Sequence, residues 1–530
     1  MEMDMSNTKN EVSEDAKEQK ERPSLMPTPD NPDPHRIYID EVQKRNKRIR
    51  QVISFTHSST KAAAVMLIAA IVALVVANSP AYDAFIHFWH TEVYLGLGNI
   101  WHGEMSFAHI INDIFMAIFF LLVGLEIKYE MTAGELTNIR QAILPILGAV
   151  GGVCAPIGIY LIFNATHPEA VHGWGVPTAT DIAFALGIMA LLGDKVPNGV
   201  KVFLSTLAVA DDIIAILVIA IFYGETPDFM WLAAAGVVFL ILILMNRRHI
   251  YSLVPYVFVG GILWVCVFMS GIHSTIAGVL LAFVIPSGSR VNLQNFLHWS
   301  DNRIKLANEF YEGEETPLVA QKDYITAVSS ISRVSKQAVP PAARLEHALY
   351  PWVYFAILPL FALTNADISF EGLNLEIMIA SPVVLGVFFG LLLGKPIGIM
   401  LLSFITVKTK LASLPKNVNW IHMLGASILG GVGFTMAIFV ANLAYGSETL
   451  ITEAKLAILS ASLVAGVVGF IFLFVQAKAT NTKEAEDLES EDSEEKILDE
   501  AKNEQLAVEV AEIDRKIEYE KIHNDTIGMS

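Results

Sequence analysis

The otherwise uncharged apolar run Val202–Tyr223 (VFLSTLAVADDIIAILVIAIFY) carries two adjacent carboxylates, Asp211 and Asp212, at its centre. The run is long enough to cross a bilayer as a helix. An ionised carboxylate at that depth costs at least about 2.5–3.5 kcal/mol. Two neighbours also repel each other. A chain retains such a pair where an opposing charge offsets the cost, and a transported cation or proton supplies one.

The remaining sequence fits that setting. Of 530 residues, 53% are hydrophobic and 17% charged, against about 25% charged in a soluble domain. The charges collect in a polar N-terminal arm (1–60), a loop (288–347) and an acidic tail (478–530). The arm has no apolar stretch of the signal-peptide kind, and the tail is expected to be solvated and disordered. Within it, Leu506, Val510, Ile513 and Ile517 have the spacing of one amphipathic helix. No basic patch with interleaved aromatics suggests a nucleic-acid partner. Cys154 and Cys266 lie in separate apolar segments without metal-ligand spacing and are expected to be small apolar fillers.

Apolar segments near 61–78, 106–127, 143–163, 176–192, 202–223, 228–245, 252–269, 271–286, 349–365, 379–405, 420–445 and 455–477 predict about twelve spans in a transmembrane domain of residues 61–477. Lys and Arg fall on alternate connections. Lys128, Arg140, Lys195, Lys201, Arg247, Arg248, the loop 288–347 and Lys408–Lys416 share one side. The opposite loops 79–105, 164–175, 224–227 and 366–377 contain neither residue. The positive-inside rule puts the basic side and both termini in the cytoplasm. The loop 288–347 has no run long enough to cross and is expected to be a cytoplasmic insertion.

Fixed charges inside the spans are few: Asp211, Asp212, Asp181 and Lys395 near the centre, with Asp113 and Glu126 on the second span. Pro177 and Thr180 precede Asp181 in PTATDIAFALG, and LGGVGFTMAIF interrupts the eleventh segment with three glycines. Both patterns predict helices broken within the membrane. Two interrupted spans in corresponding places of two halves suggest inverted repeats, spans three to five against ten to twelve. Asp181 would offset the helix N-termini and Lys395 the C-termini at the breaks. Adjacent helical residues point about 100° apart, so one aspartate can face Lys395 while the other faces a water-filled funnel. Carboxylates, a Thr hydroxyl and carbonyls suit a hard cation such as Na⁺ or Li⁺. Neighbouring carboxyls titrate as a coupled pair, so protons and the cation would compete for the same oxygens. Exchange then needs no cofactor and no covalent chemistry, and the chain is not expected to be an enzyme.

Several motifs together resemble the bacterial NhaA-type Na⁺/H⁺ antiporters across nearly all of residues 60–477. They are Asn112–Lys128, Pro177–Gly193, Leu207–Ile216, Ser270–Val279, Arg344–Val353, Leu391–Ile399 and Gly430–Ala444. The resemblance implies an all-α polytopic membrane protein of about twelve helices, with inverted repeats and crossing broken helices in spans four and eleven. It implies a cytoplasmic funnel ending at Asp211 and Asp212, with Asp212 as the central cation and proton carboxylate. It further implies an Asp211–Lys395 pair and a polar pair, Thr180 and Asp181, at the crossing. A response to alkaline pH would involve Glu126, Glu130, His273, Glu346 and His347. By the same resemblance, the chain would sit in a bacterial inner membrane, and a β-hairpin within Ser79–Met105 would support a homodimer. Tyr350, the long loop 288–347 and both tails depart from the family pattern.

The expected function is therefore electrogenic export of Na⁺ or Li⁺ against protons. A cation-coupled solute symporter is the alternative, though no solute pocket is evident. An aspartyl hydrolase would need carboxylates facing each other from separate helices, and a channel would favour symmetric rings.

Overall fold

A computed structural model describes Lys47 and residues 58–97, 101–224, 226–289, 291–313, 316–370, 379–415 and 417–478. The polar arm before residue 58, the acidic tail after residue 478 and its proposed amphipathic helix lie outside the described residues. The rest is helical except for one hairpin. β1 (Glu92–Leu97) pairs antiparallel with β2 (Trp101–Ser106), Glu92 opposite Ser106. This is the hairpin expected between the first two spans.

Among the described residues, nine helices are long and apolar enough to cross a membrane, and Trp420–Leu429 with Phe434–Ala444 forms a tenth, bent by 49°. Two shorter apolar helices, Leu253–Met269 and Thr275–Val284, occupy the expected seventh and eighth positions. Ten helical residues rise only about 15 Å, half the hydrocarbon thickness. Non-helical backbone extends the eighth segment at both ends.

Hydrogen bonds between helix ends sort the termini into two faces. On one face, the Lys128 ammonium donates to the carbonyls of Phe283 (2.7 Å) and Ile285. Asn246 donates to Val284, and Arg344 to the Tyr251 carbonyl at 3.0 Å. The ends of spans two, six and eight thus meet the starts of seven and nine. On the other face, His273 bonds the Tyr223 carbonyl, the Asp228 amide donates to Ser270, and Lys455 pairs with Asp367 at 2.9 Å. That joins the ends of spans five, seven and nine to the starts of six, eight and twelve. From the end of span five to the start of span nine these bonds alternate in sequence order, and the first face carries Lys128 and Arg344.

Burial separates central from peripheral spans. The fourth, fifth and tenth bury 61% of their apolar windows and the sixth only 11%. Ile68, Ile162, Phe258 and Val475 point outward. In water such apolar surface would drive aggregation, whereas hydrocarbon solvates it.

Small residues bring the central helices together. A Cβ on Gly398 of the tenth span would lie 2.0 Å from the Gly151 carbonyl of the third. The backbones touch there, one turn from Lys395.

Two expectations are corrected. The segment 288–347 holds two helices, Leu293–Glu309 and Lys322–Ala338. The ninth span begins at Pro341 instead of near residue 349, so Glu346 and His347 lie on its first turns and not in a loop. Pro341 at the first helical turn starts the helix early because its missing N–H needs no partner there. The tenth span, Pro382–Lys408, is continuous and contains a π-helical turn, Gly390–Gly394, directly before Lys395. Such turns absorb an extra residue without breaking the helix.

Candidate functional site

The site forms where the two broken spans meet. In the fourth, a 3₁₀ helix (Val171–Thr178) ends at extended Ala179, and an α-helix resumes at Ile182. In the eleventh, Leu429 ends one half-helix and Phe434 begins the next. The strands of backbone between the halves bond each other: the Asp181 amide donates to the Val432 carbonyl at 2.8 Å. The Thr180 hydroxyl donates to the Gly430 carbonyl at 2.9 Å. Ser462 of the twelfth span accepts from the Gly433 and Phe434 amides at 3.2 and 3.0 Å. Buried backbone freed by the breaks therefore finds partners inside the protein, as hydrocarbon requires.

Asp181 caps both half-helices that start here. Its Oδ1 accepts from the Phe184 amide at 3.0 Å, and its Oδ2 from the Thr435 amide at 3.1 Å and the Thr435 hydroxyl at 2.5 Å. A carboxylate at two helix N-termini faces two partial positive charges. Lys395 serves the opposite ends indirectly: its ammonium donates to Thr180 Oγ1 at 2.7 Å, and the Thr180 hydroxyl in turn donates to the Gly430 carbonyl.

Lys395 also lies 2.6 Å from Asp211 Oδ2, with both side chains 1% exposed. Asp212 is 3% exposed and turns away, as the helical rotation requires. Its carboxylate takes no hydrogen bond from any described residue. It lines a cleft with Asp181, Thr435, Glu126 and Tyr354. The free volume is about 10 Å³, close to what one water needs. A larger cavity of about 580 Å³ opens toward the basic face, lined by Glu130, Glu135, Lys201, Ser205 and Thr206 among others. Ser205 precedes Asp212 by seven residues, two turns on one helix face. The cavity therefore approaches the Asp212 side of the fifth span.

Among the described residues, no group of three or more His, Cys, Asp or Glu is arranged to hold a metal ion. A cation bound at Asp212 would draw on hydroxyls, carbonyls or water besides the carboxylates.

The residues expected from the resemblance to take part in a pH response divide into two groups. Glu126, Glu130, Glu346 and His347 gather at the basic face. Glu126 is within electrostatic reach of Glu130 and Glu346, and Glu346 of His347. Glu130 accepts from the Glu135 amide at 2.9 Å. His273 sits on the opposite face, bound to the Tyr223 carbonyl. Asp113 accepts from Ser274 on the same far face, at 3.1 Å.

Sequence reasoning did not single out Thr435 or Tyr354 as site residues. The glycine run before Thr435 was a usable signal, because a hydroxyl at the start of a half-helix can bond a capping carboxylate. Tyr354 gave none: one aromatic in an apolar run reads as packing.

The sequence model of the Na⁺/H⁺ antiporter 1 family matches residues 53–473. A relative from Wolinella succinogenes, named Na(+)/H(+) antiporter NhaA, is 42% identical over 436 residues, covering 82% of this chain and 95% of its own. Relatives of the same name from Helicobacter pylori strain G27 and Acidithiobacillus ferrooxidans are 43% and 42% identical, covering 81% and 79% of this chain and 96% of their own. The motifs, the crossing of two broken spans and these matches agree, and the chain belongs to the Na⁺/H⁺ antiporter 1 family.

Proposed function

We propose that this protein exchanges Na⁺ or Li⁺ for protons across a bacterial inner membrane, exporting the cation. The observation that carries the reading is the unequal treatment of two adjacent buried carboxylates. Asp211 is neutralised by Lys395, while Asp212 is buried in an ion-sized cleft without a donor. A buried charge without a partner is strongly disfavoured, so Asp212 holds either a proton or a cation. Competition for that position, with exposure alternating between the faces, is sufficient for exchange.

The relatives' printed name supports Na⁺ and H⁺ as the ions. The small cleft argues against an organic solute and so against a symporter. The proposed roles are Asp212 as carrier carboxylate, Asp211 and Lys395 as its charge-balancing pair, and Thr180 and Asp181 as the polar crossing. Two protons per cation would make the cycle electrogenic, adding about 2.3 kcal/mol per net charge per 100 mV. The acidic cluster at the basic face supports a pH response through Glu126, Glu130, Glu346 and His347; His273 would act from the opposite face. The basic loops support a cytoplasmic assignment of that face, and the β1–β2 hairpin supports a homodimer.

Inverted membrane vesicles test the reading. Addition of Na⁺ or Li⁺ should collapse a respiratory ΔpH with wild-type protein and leave it intact with Asp212→Asn. Equal collapse by both proteins would refute it.

A further inference from the structure

The hydroxyl of Tyr354 bonds a carboxylate of the Asp212 cleft. It lies on a π-helical turn of the ninth span, Val353–Ile357. Turns of this kind recur at functional sites because they rotate one side chain out of the regular helical register. The ring is 7% exposed and packs against Tyr350 with centroids 4.4 Å apart. Its hydroxyl donates to Glu126 Oε1 across 3.4 Å, and the residue lines the Asp212 cleft.

Glu126 and Glu130 are four residues apart on the second span, on one helix face. Glu126 lines the small cleft and Glu130 the large cavity open to the basic face. With Asp212 they form a ladder of carboxylates leading inward. The titratable groups facing the Tyr354 hydroxyl are Glu126 on the second span, Asp181 on the fourth, Asp212 on the fifth and Tyr350 on its own. Glu126 is the one it bonds.

We propose that Tyr354 is a positioning residue for the exchange: its hydroxyl holds Glu126 at the rim of the cleft, and protons pass between the basic face and Asp212 by way of Glu126. The inference deepens the exchange reading and rests on it. An ionised Glu126 keeps its place by accepting the tyrosine proton in a hydrogen bond. A proton taken up from the cavity is then handed inward to Asp212 while the hydroxyl retains its own. No bond other than O–H forms or breaks.

Proteoliposomes containing full-length protein provide the test, with Na⁺-driven proton flux read from pH 6.5 to 9. Wild type, Tyr354→Phe, Glu126→Gln and the double variant are compared, with detergent melting curves as a check on folding. Tyr354→Phe keeps the ring and removes only the donor. The pH of half-maximal flux should rise by about half a unit, the equivalent of one modest hydrogen bond to a carboxylate. Adding Tyr354→Phe to Glu126→Gln should move the profile no further, because the two act as one unit. An unshifted profile in Tyr354→Phe would overturn the inference while leaving exchange intact. So would an equal shift in both backgrounds. Absence of Na⁺-driven flux in wild type would instead defeat the exchange reading itself.

Discussion

Lys395 and Asp211 form an ion pair at 2.6 Å in which neither side chain is more than 1% exposed. The pair is held between two backbone breaks, since the same ammonium bonds Thr180, which bonds Gly430. The neighbouring Asp212 is thereby left as the site's unmatched carboxylate. Structural support and ion chemistry are thus divided between adjacent residues.

Removing half of that pair should cost stability. Breaking a buried pair by deleting one partner costs about 3–5 kcal/mol. Lys395→Ala should melt well below wild type in detergent, and Asp211→Asn added to it should recover part of the loss, because the stranded charge disappears. A Lys395→Ala protein that melts with wild type would show that the pair does not support the fold.

Flux through the site should depend on pH with a defined sign. Protons and Na⁺ compete for Asp212, so low pH fills it with protons and excludes the cation. Na⁺-induced ΔpH collapse should rise as pH increases, and the apparent KM for Na⁺ should fall about tenfold per unit while one proton competes. A KM independent of pH would contradict competition.

The double cap at Asp181 makes a separate prediction. Losing one N-cap costs about 0.5–2 kcal/mol, and Asp181 serves two half-helices. Asp181→Ala should lower Tm more than Thr435→Val, which removes only the hydroxyl contact at 2.5 Å. Asp181→Asn, keeping an acceptor oxygen, should fall between them. Equal Tm values for all three would separate the cap from stability.

Backbone contact at Gly151 and Gly398 should tolerate no side chain. An added Cβ at Gly398 would sit 2.0 Å from the Gly151 carbonyl, and overpacking typically costs about 1–3 kcal/mol. Gly398→Ala should lower Tm and weaken Na⁺-driven flux together, because the displaced helix carries Lys395. Gly261→Ala, where a Cβ meets nothing within 4 Å, is the matched control and should change neither.

Much of this protein was legible in the chain. Apolar run lengths predicted the spans, and alternating basic loops predicted their directions, because lipid imposes both rules on any sequence. Breaks at Ala179–Asp181 and Gly430–Gly433 were visible because proline, glycine and threonine mark them. The resemblance pointed to Asp211, Asp212, Thr180, Asp181 and Lys395, and the structure brings those five together. The early start of the ninth span was not legible, since Arg344, Glu346 and His347 are polar residues whose composition reads as loop. The short eighth helix and the π-helical turns escaped for a related reason: composition records hydrophobicity and not backbone register.

By itself the sequence determined what must enter the membrane and which charges enter with it, because burial of apolar groups and exclusion of charge are local properties of side chains. Only the tertiary structure decided which carboxylate is neutralised, which stays open to an ion, and that Tyr354 stands beside Glu126. Those outcomes depend on helix rotation and on crossings between residues as distant in the chain as Asp181 and Val432, and no local preference encodes them.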